Sequence, residues 1–203
     1  MPEITHIFFD VGGVVLTNGW DHINREKAAE FFGYDYEESE AIHQKFANDF
    51  GTAGLTLDEY LEKILFYKKR KFTKESFVEF MKSCSNAYKT TFDVLDKLIQ
   101  QNNYYLSTLN DESLELNEFR IEKFHLNKYF RNFFTSCYLG VKKPHQQIFQ
   151  KVLGITQLNP ENCLFIDDRE KNAEAAQNCG FQVIYLEKIY KLEDELRNRG
   201  ILK

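Results

Sequence analysis

The sequence has 203 residues, of which 43% are hydrophobic, and a formal net charge of −5 at pH 7, which suits one domain or a core with a modest insertion. Because the acidic balance comes with no basic block, we expect neither nucleic acid nor a membrane surface as a partner. No segment approaches the ~18 apolar residues of a membrane span, and the first residues lack a leader pattern, so we expect a cytoplasmic protein.

The first element of the chain is an apolar, aromatic-rich run over residues 7–15 that is interrupted by one carboxylate, Asp10, and then by Gly12 and Gly13. Such a run predicts a strand that is buried on both faces, and the glycines allow a tight turn and a close approach of the backbone to a ligand. In a parallel sheet, ligands bind at the carboxyl ends of the strands. Asp10 therefore stands where a carboxylate can act as a nucleophile and as a metal ligand.

Four helical patterns follow with no strand between them. They cover residues 21–32, 37–50, 57–68 and 74–88. The third pattern has the clearest helix signals, because Thr56 and Glu59 form a capping box ahead of an apolar face. Apolar stripes at helical spacing are typical of a packed core, so we predict a small four-helix bundle.

From residue 92 onward, helical and strand patterns alternate. The predicted strands cover residues 104–107, 133–138, 163–166 and 183–186, and the predicted helices lie near residues 94–99 and 112–124, after Pro144, and at 170–178. This alternation indicates an α/β core with a Rossmann-like parallel sheet and helices on both faces. We therefore predict a core of residues 1–16 and 90–203, and an inserted four-helix cap of residues 17–89 that lies over the carboxyl ends of the strands as a lid.

Polar residues also follow two other predicted strands. Ser107 and Thr108 come after the second strand, where hydroxyls and backbone N–H groups at a helix start would bind an anion, although a plain helix cap explains them equally well. Lys143 stands in an extended conformation before Pro144, and its ammonium would neutralise a phosphate oxygen unless it is simply solvated.

Asp167 and Asp168 end a further apolar strand as a pair of adjacent carboxylates. Their repulsion and loss of solvation call for a cation. Mg²⁺ is the natural partner, because it leaves coordination positions open for phosphate oxygens. We expect this pair to meet Asp10 and Lys143 at one edge of the sheet.

Four segments of the sequence resemble the motifs of the haloacid dehalogenase-like (HAD) superfamily. They are residues 9–15, Leu106-Ser107-Thr108, Lys143-Pro144 and Ile166-Asp167-Asp168. The helical insertion between the first two is similar to the subfamily I cap of the four-helix type. The resemblance covers nearly the whole chain. It implies a Mg²⁺-dependent phosphatase that acts on a small phosphorylated metabolite, for which a sugar phosphate is one candidate, as a monomer or a homodimer.

The resemblance also implies a role for each matched residue. Asp10 would attack phosphorus and form an aspartyl-phosphate, which water then hydrolyses. Mg²⁺ would be held by Asp10, the Gly12 carbonyl and Asp168, and Asp167 would bind it directly or from outside the coordination shell. The phosphoryl group would contact Gly12, Ser107, Thr108 and Lys143. The Lys143 ammonium would also balance the charge of the nucleophile and of the transferring group.

One position departs from the family pattern. Most phosphatases of this family carry a second aspartate two residues after the nucleophile as general acid and base, and Gly12 stands there instead. Because such a group contributes about 10²–10⁴ in rate, we expect either a substrate with a good leaving group or an acid borrowed from Asp21 or His22. The alternatives are a ligand-binding protein without turnover and a phosphomutase, which the missing acid disfavours. We interpret His43, which has no partner spacing, as structural.

Overall fold

The computed structural model of the protein describes residues 3–203, so the first two residues of the predicted core lie outside the described residues. Five parallel strands form one sheet in the order β3-β2-β1-β4-β5. They are β1 (His6–Phe9), β2 (Tyr105–Asn110), β3 (Asn132–Thr135), β4 (Cys163–Asp167) and β5 (Gln182–Tyr185). Helices flank this sheet, which confirms the predicted α/β class with a Rossmann-like parallel sheet.

The helices fill the connections between these strands. They are α1 (His22–Phe32), α2 (Tyr36–Gly51), α3 (Leu57–Leu61), α4 (Lys74–Ser83), α5 (Lys89–Gln101), α6 (Leu114–Lys123), α7 (Ser136–Leu139), α8 (Gln146–Thr156), α9 (Glu170–Gln177) and α10 (Leu192–Asn198). A π-helical turn, Glu62–Phe66, continues α3, and single 3₁₀ turns lie at Leu126–Lys128, Pro160–Asn162 and Ile189–Lys191. Helix α8 starts two residues beyond Pro144, the predicted first residue. None of the helices in residues 3–203 has the length and apolar character needed to cross a membrane.

Strand β1 lies at the centre of the sheet because it is apolar on both faces. Ile7 and Phe9 pack into the cluster of buried residues on one face, and Phe8 packs into the cluster on the other. The backbone N–H of Asp10 donates to the carbonyl of Ile166 at 2.8 Å, so the pairing with β4 continues one residue past the strand. Asp10 therefore leaves the sheet at its carboxyl edge, beside the end of β4.

Helices α1 to α4, which we call the helical segment, lie between β1 and α5 in the chain and share a separate cluster of buried residues. The third predicted helix begins as expected, since Thr56 caps it and Glu59 completes the capping box. Tyr60 in its apolar face is fully buried. Leu116 of α6 belongs to the same cluster, so the helical segment packs against α6 of the remaining chain.

The fourth predicted helix, over residues 74–88, is too long, because α4 ends at Ser83. The residues that follow run beside the loop after β1, where the N–H of Tyr88 donates to the carbonyl of Val15 at 3.1 Å. This segment pairs with the loop backbone instead of continuing the helical hydrogen bonds, and it carries the chain back to α5.

The third predicted strand, over residues 133–138, is also too long. Strand β3 lies at the edge of the sheet beside β2, and the register pairs Thr135 with Asn110, the last residue of β2. Pairing stops there because the partner strand stops. The chain then turns into α7 (Ser136–Leu139), and Gly140, with a φ of 66°, caps its C-terminal end.

Candidate active site

The carboxyl edge of the sheet gathers side chains from three separated stretches of the chain. One ligand oxygen from each of Asp10, Asp167 and Asp168 lies within 4.8 Å of the others. The Lys143 ammonium lies 3.0 Å from Asp10 Oδ1 and 2.6 Å from Asp167 Oδ2. The sheet produces this arrangement because β1 and β4 are neighbours in parallel register, and the loop before α8 brings Lys143 to the same edge.

Lys143 is the buried cation of this cluster. Its ammonium also donates to the carbonyl of Leu109 at 3.0 Å, and its backbone N–H donates to Asp111 Oδ1 at 3.0 Å. Burial alone would lower the pKa of the ammonium, but the carboxylates of Asp10 and Asp167 outweigh burial and hold this pKa above its ordinary value. Lys143 is therefore positively charged at neutral pH.

The Asp10 carboxyl is destabilised in its ionised form. Its Oδ1 accepts from the N–H of Val11 at 2.8 Å and pairs with Lys143. Burial raises the pKa of Asp10 from 3.8 to about 8. Lys143 opposes this shift, and the carboxylates of Asp167 and Asp168 add to it. One ammonium does not balance three crowded carboxylates, so a further positive charge here would favour the ionised form of Asp10.

The two adjacent carboxylates at the end of β4 differ in their partners. Both oxygens of Asp167 accept from the Asn172 amide at 3.0 Å, and the Arg169 N–H and the Lys143 ammonium each bind one of them. Oδ1 of Asp168 is buried and has no hydrogen-bond partner among the described residues. Burial, and then the charge of Asp167, raise the pKa of Asp168. An unpartnered carboxylate oxygen inside an acidic cluster is the feature expected of an Mg²⁺ ligand.

The loop after β1 passes close to Asp168 because Gly13 has no side chain. Gly13 has a φ of +83°, which disfavours other residues, and a Cβ atom there would lie 2.1 Å from Oδ2 of Asp168. The neighbouring Gly12 forms an isolated bridge with Leu16 in the same loop. The loop backbone and the Asp168 carboxylate therefore share a space that a side chain at position 13 would fill.

Ser107 and Thr108 do not end their strand. They pair in register with Phe8 and Phe9 of β1, and β2 continues to Asn110. Both are buried, neither lines the cavity described below, and Oγ1 of Thr108 has no hydrogen-bond partner in residues 3–203. The prediction that they lie at a helix start is wrong, because pairing with β3 extends the strand beyond them. Their binding of phosphate, which the family resemblance implies, stays a prediction.

A cavity of about 320 Å³ lies between this edge of the sheet and the helical segment. Asp10, Gly12 and Lys143 line it, together with Asp21 and His22, the two candidates for a borrowed acid. The cavity is also lined by residues that were not predicted to belong to the site: Arg25, His43, Asp111, Glu112, Lys142 and Arg169. Asp111 directly follows the last residue of β2, and a carboxylate at the end of a strand is the sequence signal that could have identified it. Arg25 and His43 face the cavity through the packing of α1 and α2, for which the sequence alone holds no signal.

Arg120 connects α6 to the loop after β1. Its guanidinium, on a side chain that is almost fully buried, donates to Glu112 at 2.9 Å, to Ser85 Oγ at 3.1 Å and to the carbonyl of Thr17. These contacts fix the chain that leads from the Gly13 turn into α1 against one side of the cavity.

Comparisons with known proteins agree on one family. The sequence model of haloacid dehalogenase-like hydrolases matches residues 4–180. The chain is 27% identical over 157 residues to flavin mononucleotide hydrolase 1, a chloroplast protein of Arabidopsis thaliana, and this match covers 73% of the chain and 60% of the relative. It is 31% identical over 67 residues to glyceraldehyde 3-phosphate phosphatase of Pyrococcus furiosus, over 32% of the chain and 28% of the relative. The matches thus span less than two thirds of either relative's length.

Solved structures share the fold. A HAD family enzyme from Bacteroides thetaiotaomicron has a TM-score of 0.77 at 20% identity, over 90% of this chain and 93% of that one. The wild-type form of the same enzyme in complex with magnesium and inorganic phosphate has a TM-score of 0.72 at 19% identity, over 89% and 93% of the two chains. At this level of identity, the likeness shows the fold alone.

The first prediction concerns the turn at Gly13. We expect Gly13→Ala to displace the Asp168 carboxylate and to weaken Mg²⁺ binding at least about tenfold. Gly33→Ala is the matched control, because Gly33 has a φ of +70° and nothing lies within 4 Å of its would-be Cβ. Both variants bear a left-handed backbone penalty of about 1–2 kcal/mol. Calorimetric titration with MgCl₂ measures the affinity, and equal affinities in the two variants would contradict the assignment of Asp168.

The second prediction concerns pH. Between the ordinary value of 3.8 and about 8, the unfolded chain releases the Asp10 proton while the folded chain keeps it, so Asp10 lowers the free energy of unfolding as pH rises through this range. We expect the free energy of unfolding of Asp10→Asn, relative to the parent in EDTA, to increase from pH 5 to pH 8 by about 1 kcal/mol or more. Urea unfolding measures it. If the difference in free energy of unfolding between Asp10→Asn and the parent stays constant from pH 5 to pH 8, the pKa of Asp10 is not raised.

Proposed function

Since the chain belongs to the family of haloacid dehalogenase-like hydrolases, we propose that it is a Mg²⁺-dependent phosphatase that hydrolyses a small phosphorylated metabolite. The observation that carries the proposal is the cluster of three carboxylates and one buried ammonium in which Asp168 Oδ1 lacks a partner among the described residues. The names of the two relatives described above both refer to the hydrolysis of a phosphorylated compound. The cavity of about 320 Å³ is at the small end of the ~300–1,000 Å³ typical of ligand sites.

The residues present fit Mg²⁺. Asp10 and Asp168 offer carboxylate oxygens, and the Gly12 carbonyl belongs to the same loop as Asp10. We assign Asp167 to holding Lys143 rather than to the ion, because Lys143 and Asn172 already occupy its oxygens. When bound, the ion would polarise the phosphoryl oxygens and supply the positive charge that the cluster lacks.

The chain's own groups would divide the reaction into two steps. Lys143 and the Val11 N–H hold Oδ1 of Asp10, which leaves Oδ2 to attack phosphorus while the bond between phosphorus and the leaving alcohol oxygen breaks. Lys143 balances the charge that builds up on the transferring group. Water then attacks the aspartyl-phosphate, and the bond to Asp10 breaks, which releases inorganic phosphate and restores the carboxylate. Of the two protons of this water, one remains on phosphate and one replaces the proton given to the alcohol.

The leaving alcohol needs a proton that Gly12 cannot supply. Asp21 and His22 line the cavity at the start of α1. Asp21 caps this helix, since its Oδ1 accepts from the N–H of Asn24 at 2.9 Å. We assign the borrowed acid to one of these two residues. Otherwise, the substrate itself provides a leaving group that departs without protonation.

Residues 17–89 are proposed to form the cap of this enzyme. Support comes from the cavity, which the helical segment and the sheet edge enclose together, and from the separate cluster of buried residues in α1 to α4. In this arrangement, α1 and α2 contact the part of the substrate beyond the phosphoryl group and select among metabolites.

The third prediction tests turnover. We expect hydrolysis of p-nitrophenyl phosphate with Mg²⁺, loss of this activity in EDTA, and a loss of at least about 10³-fold in Asp10→Asn. The leaving group of this compound needs little protonation, so Gly12 does not mask a competent site. Activity at the Asp10→Asn background would favour the ligand-binding protein without turnover. Isomerised product from a sugar phosphate, without free phosphate, would favour the phosphomutase.

The fourth prediction concerns the acid. We expect Asp21→Asn or His22→Ala to lower kcat/KM for glycerol 3-phosphate by about 10²-fold and to change the pH–rate profile, with a much smaller effect on p-nitrophenyl phosphate. Asp35→Asn is the control, because Asp35 caps α2 through the N–H of Glu38 in the same way and does not line the cavity. Unchanged profiles in both test variants would rule out the borrowed acid.

A further inference from the structure

The wall of the cavity formed by α2 carries a polar group that the proposed reaction does not use. The residues of α2 that line the cavity are His43, Ala47, Phe50 and Gly51. The side chain of Lys142, from the loop before α8, reaches the end of the same helix. Its Nζ lies 3.1 Å from the position that a Cβ on Gly51 would take. His43 and Lys142 are therefore two nitrogen groups on one wall of the cavity.

The hydrogen bonds around His43 fix which ring nitrogen carries the proton. The Trp20 Nε1–H donates to the Tyr60 hydroxyl at 3.0 Å, and this hydroxyl lies 2.7 Å from His43 Nδ1. Tyr60 is fully buried, and within residues 3–203 its proton has no acceptor other than Nδ1. Nδ1 therefore accepts, and the neutral ring carries its proton on Nε2. Burial, followed by the charges of Arg25 and Lys142, lowers the pKa of His43 to about 4, so the ring is neutral at pH 7.

The other nitrogen of His43 is open to the cavity. Nε2 has no hydrogen-bond partner in the described part of the chain, and it is not among the enclosed polar atoms of this part. The structural role that the sequence suggested for His43 thus accounts for Nδ1 only. Nε2–H is a donor of fixed direction that faces a ligand space.

Lys142 has no ion pair with any residue from 3 to 203. Two acidic side chains on the rim interact with it electrostatically, but both are bound by other donors. Asp111 accepts from the N–H of Lys143 at 3.0 Å, and Glu112 pairs with Arg120 at 2.9 Å. The Lys142 ammonium therefore stands at the cavity with its charge uncompensated by a direct contact.

Arg25 of α1 is also a cation that lines the cavity, but its guanidinium is already paired, unlike the ammonium of Lys142. Glu40 accepts from its Nε at 2.7 Å and from its Nη2 at 2.9 Å, and the Trp20 carbonyl accepts from its Nη1 at 2.8 Å. Its charge is paired within the protein, whereas that of Lys142 is available to a ligand.

We propose that the Nε2–H of His43 and the ammonium of Lys142 bind a second acidic group of the substrate, so that the preferred substrate is a phosphomonoester that also carries a carboxylate. The inference rests on the proposed phosphatase function and names its substrate class. A carboxylate accepts hydrogen bonds from both kinds of donor, and it supplies the counter-charge that Lys142 lacks. A substrate with a hydroxyl at this place would leave the ammonium unpaired, which is the kind of mismatch that polar sites reject.

The fifth prediction compares 3-phosphoglycerate with glycerol 3-phosphate, which share a three-carbon skeleton and differ in a carboxylate and a hydroxymethyl group. Binding is measured by calorimetry on the full chain carrying Asp10→Asn, with Mg²⁺, so that no turnover occurs. We expect 3-phosphoglycerate to bind at least about tenfold more tightly. Lys142→Gln or His43→Phe in this background should remove most of the preference. Lys171→Gln, at an exposed position outside the cavity, should keep it.

Equal affinities for the two compounds, or a preference that survives Lys142→Gln, would overturn the inference. Hydrolysis of p-nitrophenyl phosphate by the parent protein separates this result from the phosphatase proposal. If hydrolysis occurs without a carboxylate preference, only the substrate class is wrong. If the preference is present without hydrolysis, only the turnover is wrong.

The role of the Tyr60 hydroxyl in setting the tautomer of His43 can be measured separately. In ¹⁵N-histidine spectra of the full chain, with His43→Phe to assign the signal, we expect His43 as the Nε2–H tautomer at pH 7. Tyr60→Phe should remove the bias toward this tautomer, because Nδ1 then loses its donor. An Nδ1–H tautomer in the parent protein would refute the direction of the hydrogen bonds.

Discussion

The ammonium of Lys143, shared between Asp10 and Asp167, is the interaction on which the site depends. All three side chains are buried, and removing one partner of such an ion group leaves an uncompensated charge at a cost of about 3–5 kcal/mol. The group is tolerated because every member has a further partner: the Leu109 carbonyl for the ammonium, the Val11 N–H for Asp10, and the Asn172 amide for Asp167. The burial that makes this arrangement costly also strengthens its effect on any phosphoryl group that enters.

The two neighbouring aspartates at the end of β4 show how one strand end serves two tasks. Asp167 is the last residue of the strand, and its oxygens are used up inside the protein. Asp168 lies one residue further and keeps a buried oxygen that nothing in the described chain satisfies. The two adjacent aspartates thus differ in hydrogen bonding, because both oxygens of Asp167 have donors and Oδ1 of Asp168 has none among the described residues. Because Gly13 has no side chain, the loop after β1 can come within reach of the second one.

The parts of the fold that depend on local pattern could be predicted from the sequence, and so could most of the acidic cluster. The apolar run of β1, the carboxylate at its end and the alternation of helices and strands are properties of short segments. The end of β2 could not be predicted, because Ser107 and Thr108 are polar residues that the pairing with β3 keeps inside the sheet. The role of His43 depends on contacts between distant parts of the chain. The hydrogen bonds that link Trp20, Tyr60 and His43 produce no periodic pattern in the sequence, so they could not be predicted from it.

The packing of Leu116 into the cluster of the helical segment has a consequence for how a ligand reaches the cavity. In the same helix, Glu115 accepts from the N–H of Leu57 at 2.8 Å, so α6 and α3 are joined by an apolar and a polar contact side by side. Lifting the helical segment away from α6 would wet a leucine at about 1.5–3 kcal/mol and leave a carboxylate without its donor. This cost alone would keep the open form below about one molecule in ten at equilibrium. The exposure of a single leucine thereby contributes directly to the gating free energy of that motion.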